Sequence, residues 1–219
     1  MALILNIETA TRNCSVSLAK DGKTLLCKEI AEQNFSHAEK LHVFIEEICN
    51  ETGVALKDLN AVAVSQGPGS YTGLRIGVSA AKGFCYALSI PLIAVDTLLL
   101  LANKIQINEG IVIPMIDARR MEAYTAIYDF NYVKIRETKA EVIDAHSYQD
   151  VAEQIHLVGD GAMKFQSLLT DSKFHFYPDI EFPSAHEMSA VSYENYVKGD
   201  VVDVAYFEPF YLKDFVLNR

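Results

Sequence analysis

The sequence predicts an α/β fold in which a first half, with a mixed five-stranded sheet flanked by helices, is followed by a smaller and similar second half. Two observations favour this fold class: the order of strand-like and helix-like segments in the first half, and an internal repeat. The 219 residues are half hydrophobic, which suits one large or two small compact units. We place the halves at residues 1–108 and 109–219.

The first half follows the order of three strands, helix, strand, helix, strand, helix. Its predicted strands are Leu3–Ile7, Ser15–Ala19, Thr24–Ile30, Ala61–Ser65 and Pro91–Val95. Asp21-Gly22 is a strong hairpin signal between the second and third strands. Apolar residues at helical spacing predict a helix after an N-cap at Ser36, a second helix from about Thr72 to Leu88, and a third after Asp96 or Thr97.

The second half repeats the pattern of the first at an offset of 109 residues. Leu5 to Glu8 corresponds to Pro114 to Asp117, and the strand after each acidic residue begins again at the same distance. Ile155–Val158 runs into Gly159-Asp160-Gly161 as Ala61–Ser65 runs into Gly67-Pro68-Gly69. The agreement of spacing, acid placement and strand–glycine order favours tandem duplication.

Composition excludes several functional classes. The net charge of −10 makes the chain a poor candidate for binding nucleic acid alone, because phosphate backbones would repel it. The four cysteines have no zinc-like spacing, which favours reduced thiols in a cytoplasmic protein. The N-terminus has no basic region or cleavage site of a signal peptide.

A glycine-rich loop follows the predicted fourth strand. It comprises Gly67, Pro68, Gly69, Ser70 and Thr72, and Arg75 lies in the helix that follows. The spacing fails the Walker, dinucleotide-binding and nucleophile-elbow patterns. Two interpretations stay open: the loop's N–H groups hold an anion or another chain's acceptor, or the glycines only allow a sharp strand-to-helix turn.

The helix after this loop carries small residues at every fourth position, Gly73, Gly77 and Ala81. A glycine inside a helix costs about 1 kcal/mol relative to alanine, so close approach of another backbone is the expected reason. That backbone belongs either to the chain's own fold or to a second subunit. The amphipathic helix containing Leu41, Ile45 and Ile48 is the natural companion for the second case.

Candidate catalytic and metal-binding residues are few. Glu8 and Asp117 end equivalent strands and are the pair able to hold Mg²⁺ with a nucleotide. No basic phosphate clamp is evident beside either. We assign no catalytic residue and no resident metal ion.

The run Ser65–Gly77, with Gly-Pro-Gly-Ser-Tyr-Thr-Gly-Leu-Arg at its centre, closely resembles the bacterial TsaB family, also called YeaZ. Ile7-Glu8-Thr9-Ala10, His37-Ala38-Glu39-Lys40-Leu41 and the segment Pro91–Thr97 are similar to that family in order and spacing. One departure is Glu8, where the family usually has aspartate; the longer side chain weakens a nucleotide site.

The resemblance implies a duplicated ribonuclease-H-like fold of the actin, sugar-kinase and chaperone ATPase superfamily. It also implies a cytoplasmic, non-catalytic subunit needed for N6-threonylcarbamoyladenosine (t6A) in tRNA. The catalytic relative TsaD binds metal through a His-x-x-x-His pair that this chain lacks. TsaB pairs with TsaD through its two N-terminal helices and the ATPase TsaE joins them, so tRNA is contacted indirectly.

The expected partner-binding residues are therefore Gly73, Gly77, Ala81, Leu41, Ile45 and Ile48, and the same surface predicts a homodimer of the isolated chain. ATP or ADP with Mg²⁺ is expected only within the complex, if at all. The alternative function is an ATP-binding enzyme of the superfamily. The older glycoprotease label is disfavoured, because the sequence has no ligand constellation for a metallopeptidase.

Overall fold

The computed structural model describes residues 1–32 and 37–213. The predicted N-cap Ser36 lies outside these residues. The described part contains two five-stranded mixed sheets and four α-helices. None of these helices combines the length and the apolarity that crossing a bilayer takes.

The first sheet has the strand order β3-β2-β1-β4-β5. Its strands are β1 (Leu3–Glu8), β2 (Asn13–Lys20), β3 (Lys23–Ala31), β4 (Ala61–Gly67) and β5 (Leu92–Asp96). β1, β2 and β3 are antiparallel neighbours, whereas β4 is parallel to β1 and β5 is parallel to β4. The predicted mixed sheet is therefore confirmed.

The second sheet has the same topology, β10-β9-β6-β7-β8. Its strands are β6 (Ile111–Asp117), β7 (Glu122–Asp129), β8 (Lys134–Val142), β9 (Ile155–Val158) and β10 (Phe174–Phe176). β6 pairs antiparallel with β7 and parallel with β9, as β1 pairs with β2 and β4. β7 lies 109 residues after β2 at both ends, which confirms the duplication that the sequence indicated.

The helices are α1 (His37–Thr52), α2 (Tyr71–Leu88), α3 (Thr97–Ala102) and α4 (Ala185–Lys198). α1 and α2 bury apolar side chains against Leu5 and Val16 of the first sheet in one core cluster. Strand side chains alternate between the two faces of a sheet, so Asn6 and Ser17 project from the other face, where α4 lies.

Polar side chains hold α4 on the first sheet. The Asn6 side chain donates to Ser17 Oγ (3.0 Å) and accepts from Ser192 Oγ (2.7 Å). Ser17 Oγ also donates to the carbonyl of Ala185 (2.7 Å), and Ser15 Oγ accepts from the N–H of Ala185 (3.0 Å). All these groups are buried, and each hydrogen bond offsets the cost of removing polar atoms from water.

The compact units differ from the two sequence halves in two places. One unit contains Met1–Thr97 and the chain from Ser184 onward, and the other contains Leu98–Pro183. Helix α3 thus lies in the second unit from its second residue, Leu98, onward, although the sequence places it before residue 108. The last helix, α4, lies in the first unit, because its serine-rich face bonds to the first sheet.

Candidate functional site

The glycine-rich loop directs its hydrogen-bond donors into its own fold. Gly67 N–H donates to Thr97 Oγ1 (3.0 Å), and Ser70 N–H donates to the carbonyl of Ala10 (2.7 Å). Ser70, rather than Thr72, is the N-cap of α2, since its Oγ accepts from Gly73 N–H (3.3 Å). These donors are therefore already bonded, which favours the strand-to-helix turn over anion binding as the role of the loop.

The glycines of the loop and of α2 allow the helix to approach the β1–β2 connection. A Cβ atom on Gly73 would lie 2.1 Å from the carbonyl oxygen of Thr9, and one on Gly69 would lie 2.3 Å from that of Ala10. A Cβ atom on Gly77 would lie 2.3 Å from Thr9 Oγ1, which itself donates to the carbonyl of Gly73 (2.7 Å). The close neighbour of the small-residue stripe is thus the chain itself.

The structure corrects the prediction for the six partner-binding residues. Gly73, Gly77, Ala81, Leu41, Ile45 and Ile48 are all buried within the first unit. Seven of the neighbours in that core, from Leu5 to Val64, come from the first sheet. The sequence pattern located the buried faces of α1 and α2, so any partner of these helices has to contact their opposite faces.

The exposed face of α2 is formed by Thr72, Arg75, Ser79, Gly83 and Tyr86. No atom lies within 4 Å of a Cβ built on Gly83, and the Tyr86 side chain is 85% exposed. α1 lies beside α2, with the ring centroids of His42 and Phe84 6.1 Å apart. The two helices therefore present a joint surface to solvent.

A shallow hollow of about 590 Å³ lies on this surface. It is lined by Lys82, Gly83 and Tyr86 of α2 and by Asp203, Val204 and Ala205 of the C-terminal segment. The ammonium group of Lys82 donates to the carbonyls of Ala205 and Phe207, at 3.1 Å each. These bonds hold the C-terminal segment beside α2 and define one wall of the hollow.

Arg75 also holds the C-terminal segment. Its guanidinium carbon lies 4.1 Å from the centre of the Tyr71 ring, and its Nε donates to the hydroxyl of Tyr211 (3.3 Å). The N–H of Phe210 donates to the carbonyl of Gln66 (2.7 Å), at the start of the glycine-rich loop. Arg75 thus acts in packing this segment over the loop, which the sequence did not predict.

Glu8 and Asp117 occupy equivalent positions and make equivalent bonds. Glu8 Oε1 accepts from the N–H of Ala10 (2.6 Å), and Asp117 Oδ1 accepts from the N–H of Arg119 (3.0 Å). Both carboxylates therefore fix the turn that follows their strand. This structural role, accepting a backbone hydrogen bond in the turn, needs no ligand.

The surroundings of Asp117 do not fit a Mg²⁺ site. The ammonium group of Lys164 bonds to Asp117 Oδ1 and also donates to the carbonyls of Arg120 (3.0 Å) and Glu122 (2.6 Å). A cation of the chain's own thus takes the oxygens that a metal ion would need. Within residues 1–32 and 37–213, no group of three or more His, Cys, Asp or Glu side chains is arranged to hold a metal ion.

Comparison with known proteins identifies the family. The family model described as tRNA N6-adenosine threonylcarbamoyltransferase, TsaD, matches residues 25–210. The tRNA threonylcarbamoyladenosine biosynthesis protein TsaB of Escherichia coli is 32% identical over 221 residues, which cover 96% of this chain and 94% of that protein. The chain belongs to the TsaB family, within the wider family that the model describes.

Two further similarities define the position of this TsaB-family chain. The crystal structure of YeaZ from Pseudomonas aeruginosa superposes with a TM-score of 0.84 at 25% identity, covering 97% of this chain and all of that one. A tRNA N6-adenosine threonylcarbamoyltransferase of Halalkalibacterium halodurans is 38% identical over 108 residues, which are 42% of this chain and 32% of that enzyme. The chain is thus similar over its whole length to TsaB proteins and over part of it to the transferase.

Proposed function

We propose that this TsaB-family chain is an accessory subunit in t6A biosynthesis, and that it acts by docking a TsaD-like relative through the exposed faces of α1 and α2. The observation that supports this most directly is the similarity to E. coli TsaB over nearly the full length of both chains. In this proposal the chain supplies a surface, and the transfer chemistry belongs to the partner.

The exposed glycine of α2 supports the choice of surface. Thr9 comes so close to α2 that only glycine fits at Gly73 and Gly77. This close packing explains why the helix contains these two residues although glycine lowers helix stability. Gly83 has no such internal neighbour, so the chain's own packing gives no reason for it. Beside it, Tyr86 and the apolar hollow offer a large aromatic side chain and a recess, which are features typical of interface centres.

The exposed face of α1 would provide the rim of the interface. Glu39 and Glu46 are exposed there, and Val43 is 44% exposed between them. An acidic rim favours basic side chains on the partner and would speed association at low salt. The proposed interface thus has an apolar centre on α2 and charged edges on α1.

The similarity to the transferase also supports a related partner. A tRNA N6-adenosine threonylcarbamoyltransferase is 38% identical to this chain over an alignment of 108 residues that covers 42% of this chain. A surface that pairs with a homologue is able to pair with a second copy of its own chain in a related, approximately two-fold arrangement. We therefore retain the homodimer of the isolated chain as a proposal, now through the exposed faces.

The remaining partners belong to the same proposal. A TsaE-like ATPase would join the pair, tRNA would be contacted through the complex, and ATP or ADP with Mg²⁺ would bind only there. The alternative of an ATP-binding enzyme receives no support from Asp117, whose carboxylate already has an ammonium partner.

Co-expression with the TsaD-like relative from the same genome tests the docking surface. Gly83→Leu should abolish co-elution in gel filtration, because leucine would fill the recess without meeting any atom of the chain itself. Ala190→Leu, on the exposed face of α4, adds the same type of side chain away from the surface and should leave co-elution intact. If Gly83→Leu co-elutes as the wild type does, this surface is not the docking site.

A further inference from the structure

Two histidine rings lie against each other at one edge of the second sheet. His156 on β9 and His175 on β10 are direct partners in the parallel register of these strands. Their ring centroids are 5.1 Å apart and their planes differ by 23°, so the two side chains are stacked. β10 stands at the end of the strand order and joins the sheet through three residue pairs. Such a short edge pairing is the kind of element that opens locally.

The hydrogen bonds of His156 suit a neutral ring. Nδ1 lies 2.8 Å from the hydroxyl of Tyr177, and the ring also bonds to the backbone of Glu109. A neutral imidazole has one donor and one acceptor nitrogen, so it donates to the carbonyl of Glu109 and accepts from the Tyr177 hydroxyl at Nδ1. Protonation turns Nδ1 into a donor, and the Tyr177 hydroxyl would then have to turn its hydrogen away.

The surroundings of His156 also disfavour its charged form. Burial, and after it the neighbouring His175, lowers the pKa of His156 below the ordinary value of 6.5, although Glu109 acts in the opposite direction. His175 Nε2 donates to Gln154 Oε1, which is uncharged. The ammonium group of Lys173, just before β10, donates to three backbone carbonyls of the segment before β9. The stability that neutral His156 contributes is therefore present above pH 6.5 and is lost as the pH falls below it.

The chain after β10 holds the glycine loop of the second unit. Tyr177 directly follows β10, and its hydroxyl contacts His156. The carbonyl of Ile180 accepts from the N–H of Gly159 (2.7 Å). The next carbonyl, that of Glu181, accepts from the N–H of Asp160 (2.8 Å). Release of β10 would therefore also loosen the loop that follows β9.

We propose that His156 and His175 form a pH-sensitive switch, which holds β10 on β9 while the rings are neutral and releases it when both are protonated. Neutral rings stack favourably, whereas two cations at this separation repel each other. Glu109 is able to offset only one of the two charges. The inference goes beyond the proposed docking function, because it concerns the second unit and requires no partner chain.

Hydrogen exchange of the full chain, resolved by NMR between about pH 7.5 and about pH 5, tests the switch. The reporters are the N–H groups of Ile155, Gly159 and Asp160, which donate to carbonyls just before or after β10. Their protection factors, corrected for the intrinsic pH dependence of exchange, should fall at least about tenfold. The N–H of Val62 in the first sheet should lose less than about twofold. An equal loss at Val62 would overturn the proposal, because it would report global unfolding.

His175→Phe keeps a ring that stacks and removes one of the two charges. The loss of protection in this variant should be about threefold or less, because His156 then titrates without a charged neighbour. His186→Gln removes an exposed histidine of the first unit and should behave as the wild type does. The proposal is overturned if the wild type keeps its protection down to about pH 5, or if His175→Phe loses as much protection as the wild type.

Tyr177→Phe gives a second test that leaves both histidines in place. It removes the hydrogen bond that favours neutral His156, so protonation becomes easier. The pH at which half of the protection at Gly159 is lost should therefore be higher than in the wild type. An unchanged or lower midpoint would contradict the role of His156 in the switch.

Discussion

At the scale of single residues, the three glycines of α2 have different surroundings. Gly73 and Gly77 would each place a Cβ atom within 2.3 Å of Thr9, whereas Gly83 would place one in open space. Helix propensity penalises all three by a similar amount. For Gly73 and Gly77, packing inside the fold therefore compensates the lost helix stability. For Gly83, we expect a partner to compensate it.

This difference predicts opposite effects of the same substitution. Gly77→Ala should lower the free energy of unfolding by about 1–3 kcal/mol, because the methyl group forces Thr9 and its bond to the carbonyl of Gly73 to move. Gly83→Ala should raise it by about 1 kcal/mol through helix propensity alone. Urea denaturation of both variants checks this. If the two variants are equally stable, Thr9 moves away from the added methyl group without lowering the free energy of unfolding.

At the scale of elements, the hairpin β7–β8 is held by one partly buried carboxylate in the second unit. Glu141 on β8 accepts from Arg136 Nη2 (2.6 Å) and from the Tyr148 hydroxyl (2.7 Å), and Thr125 of β7 also donates to it. Burial works to raise the pKa of Glu141, but these hydrogen bonds and Lys139 outweigh it and lower the pKa to about 2. The ionised carboxylate is thus the form that the fold stabilises.

The lowered pKa predicts how stability depends on pH. The contribution of Glu141 is present above its unfolded pKa, near 4.3, and is lost as the pH falls toward 2. Glu141→Gln should therefore be less stable than the wild type at pH 7, and the difference should shrink below about pH 3. Urea denaturation at a series of pH values measures this difference. A gap that stays constant with pH would mean that the carboxylate does not titrate in this range.

Most elements could be predicted from the sequence, because their burial follows apolar periodicity. The strands around Leu5 and Val64 and the helix after Gly69 were found in this way, and the duplication followed from the spacing of Glu8 and Asp117. The position of α4 could not be predicted, since two of its four buried residues are serines that pair with Asn6 and Ser17. Hydrophobic periodicity carries no signal for a polar layer.

The candidate site shows a second reason why prediction from the sequence failed. A stripe of small residues such as Gly73 and Gly77 indicates that a backbone comes close, but not to which chain that backbone belongs. The approach of Thr9 settles this question only in three dimensions. The helices were predicted correctly, whereas the choice between their faces required the structure.

At the scale of the whole molecule, acidity and an exposed aromatic surface have opposing effects on self-association. The net charge of −10 makes copies repel one another, and residues 111–219 carry most of the excess, with eighteen acidic and ten basic side chains. The surface around Tyr86, which is 85% exposed, favours association, because burying this ring removes apolar area from water. The balance between the two should depend on salt.

Light scattering on the isolated chain tests this balance. The dimer fraction should rise with protein concentration and also with added salt, because salt screens the repulsion and leaves apolar burial in place. Tyr86→Asp should keep the chain monomeric, since it puts a charge at the centre of the contact, while Ala190→Asp on α4 should dimerise as the wild type does. A wild type that stays monomeric at high concentration and high salt would contradict self-pairing and leave only the heteromeric contact. A dimer that persists in Tyr86→Asp would place the contact on another face of the molecule.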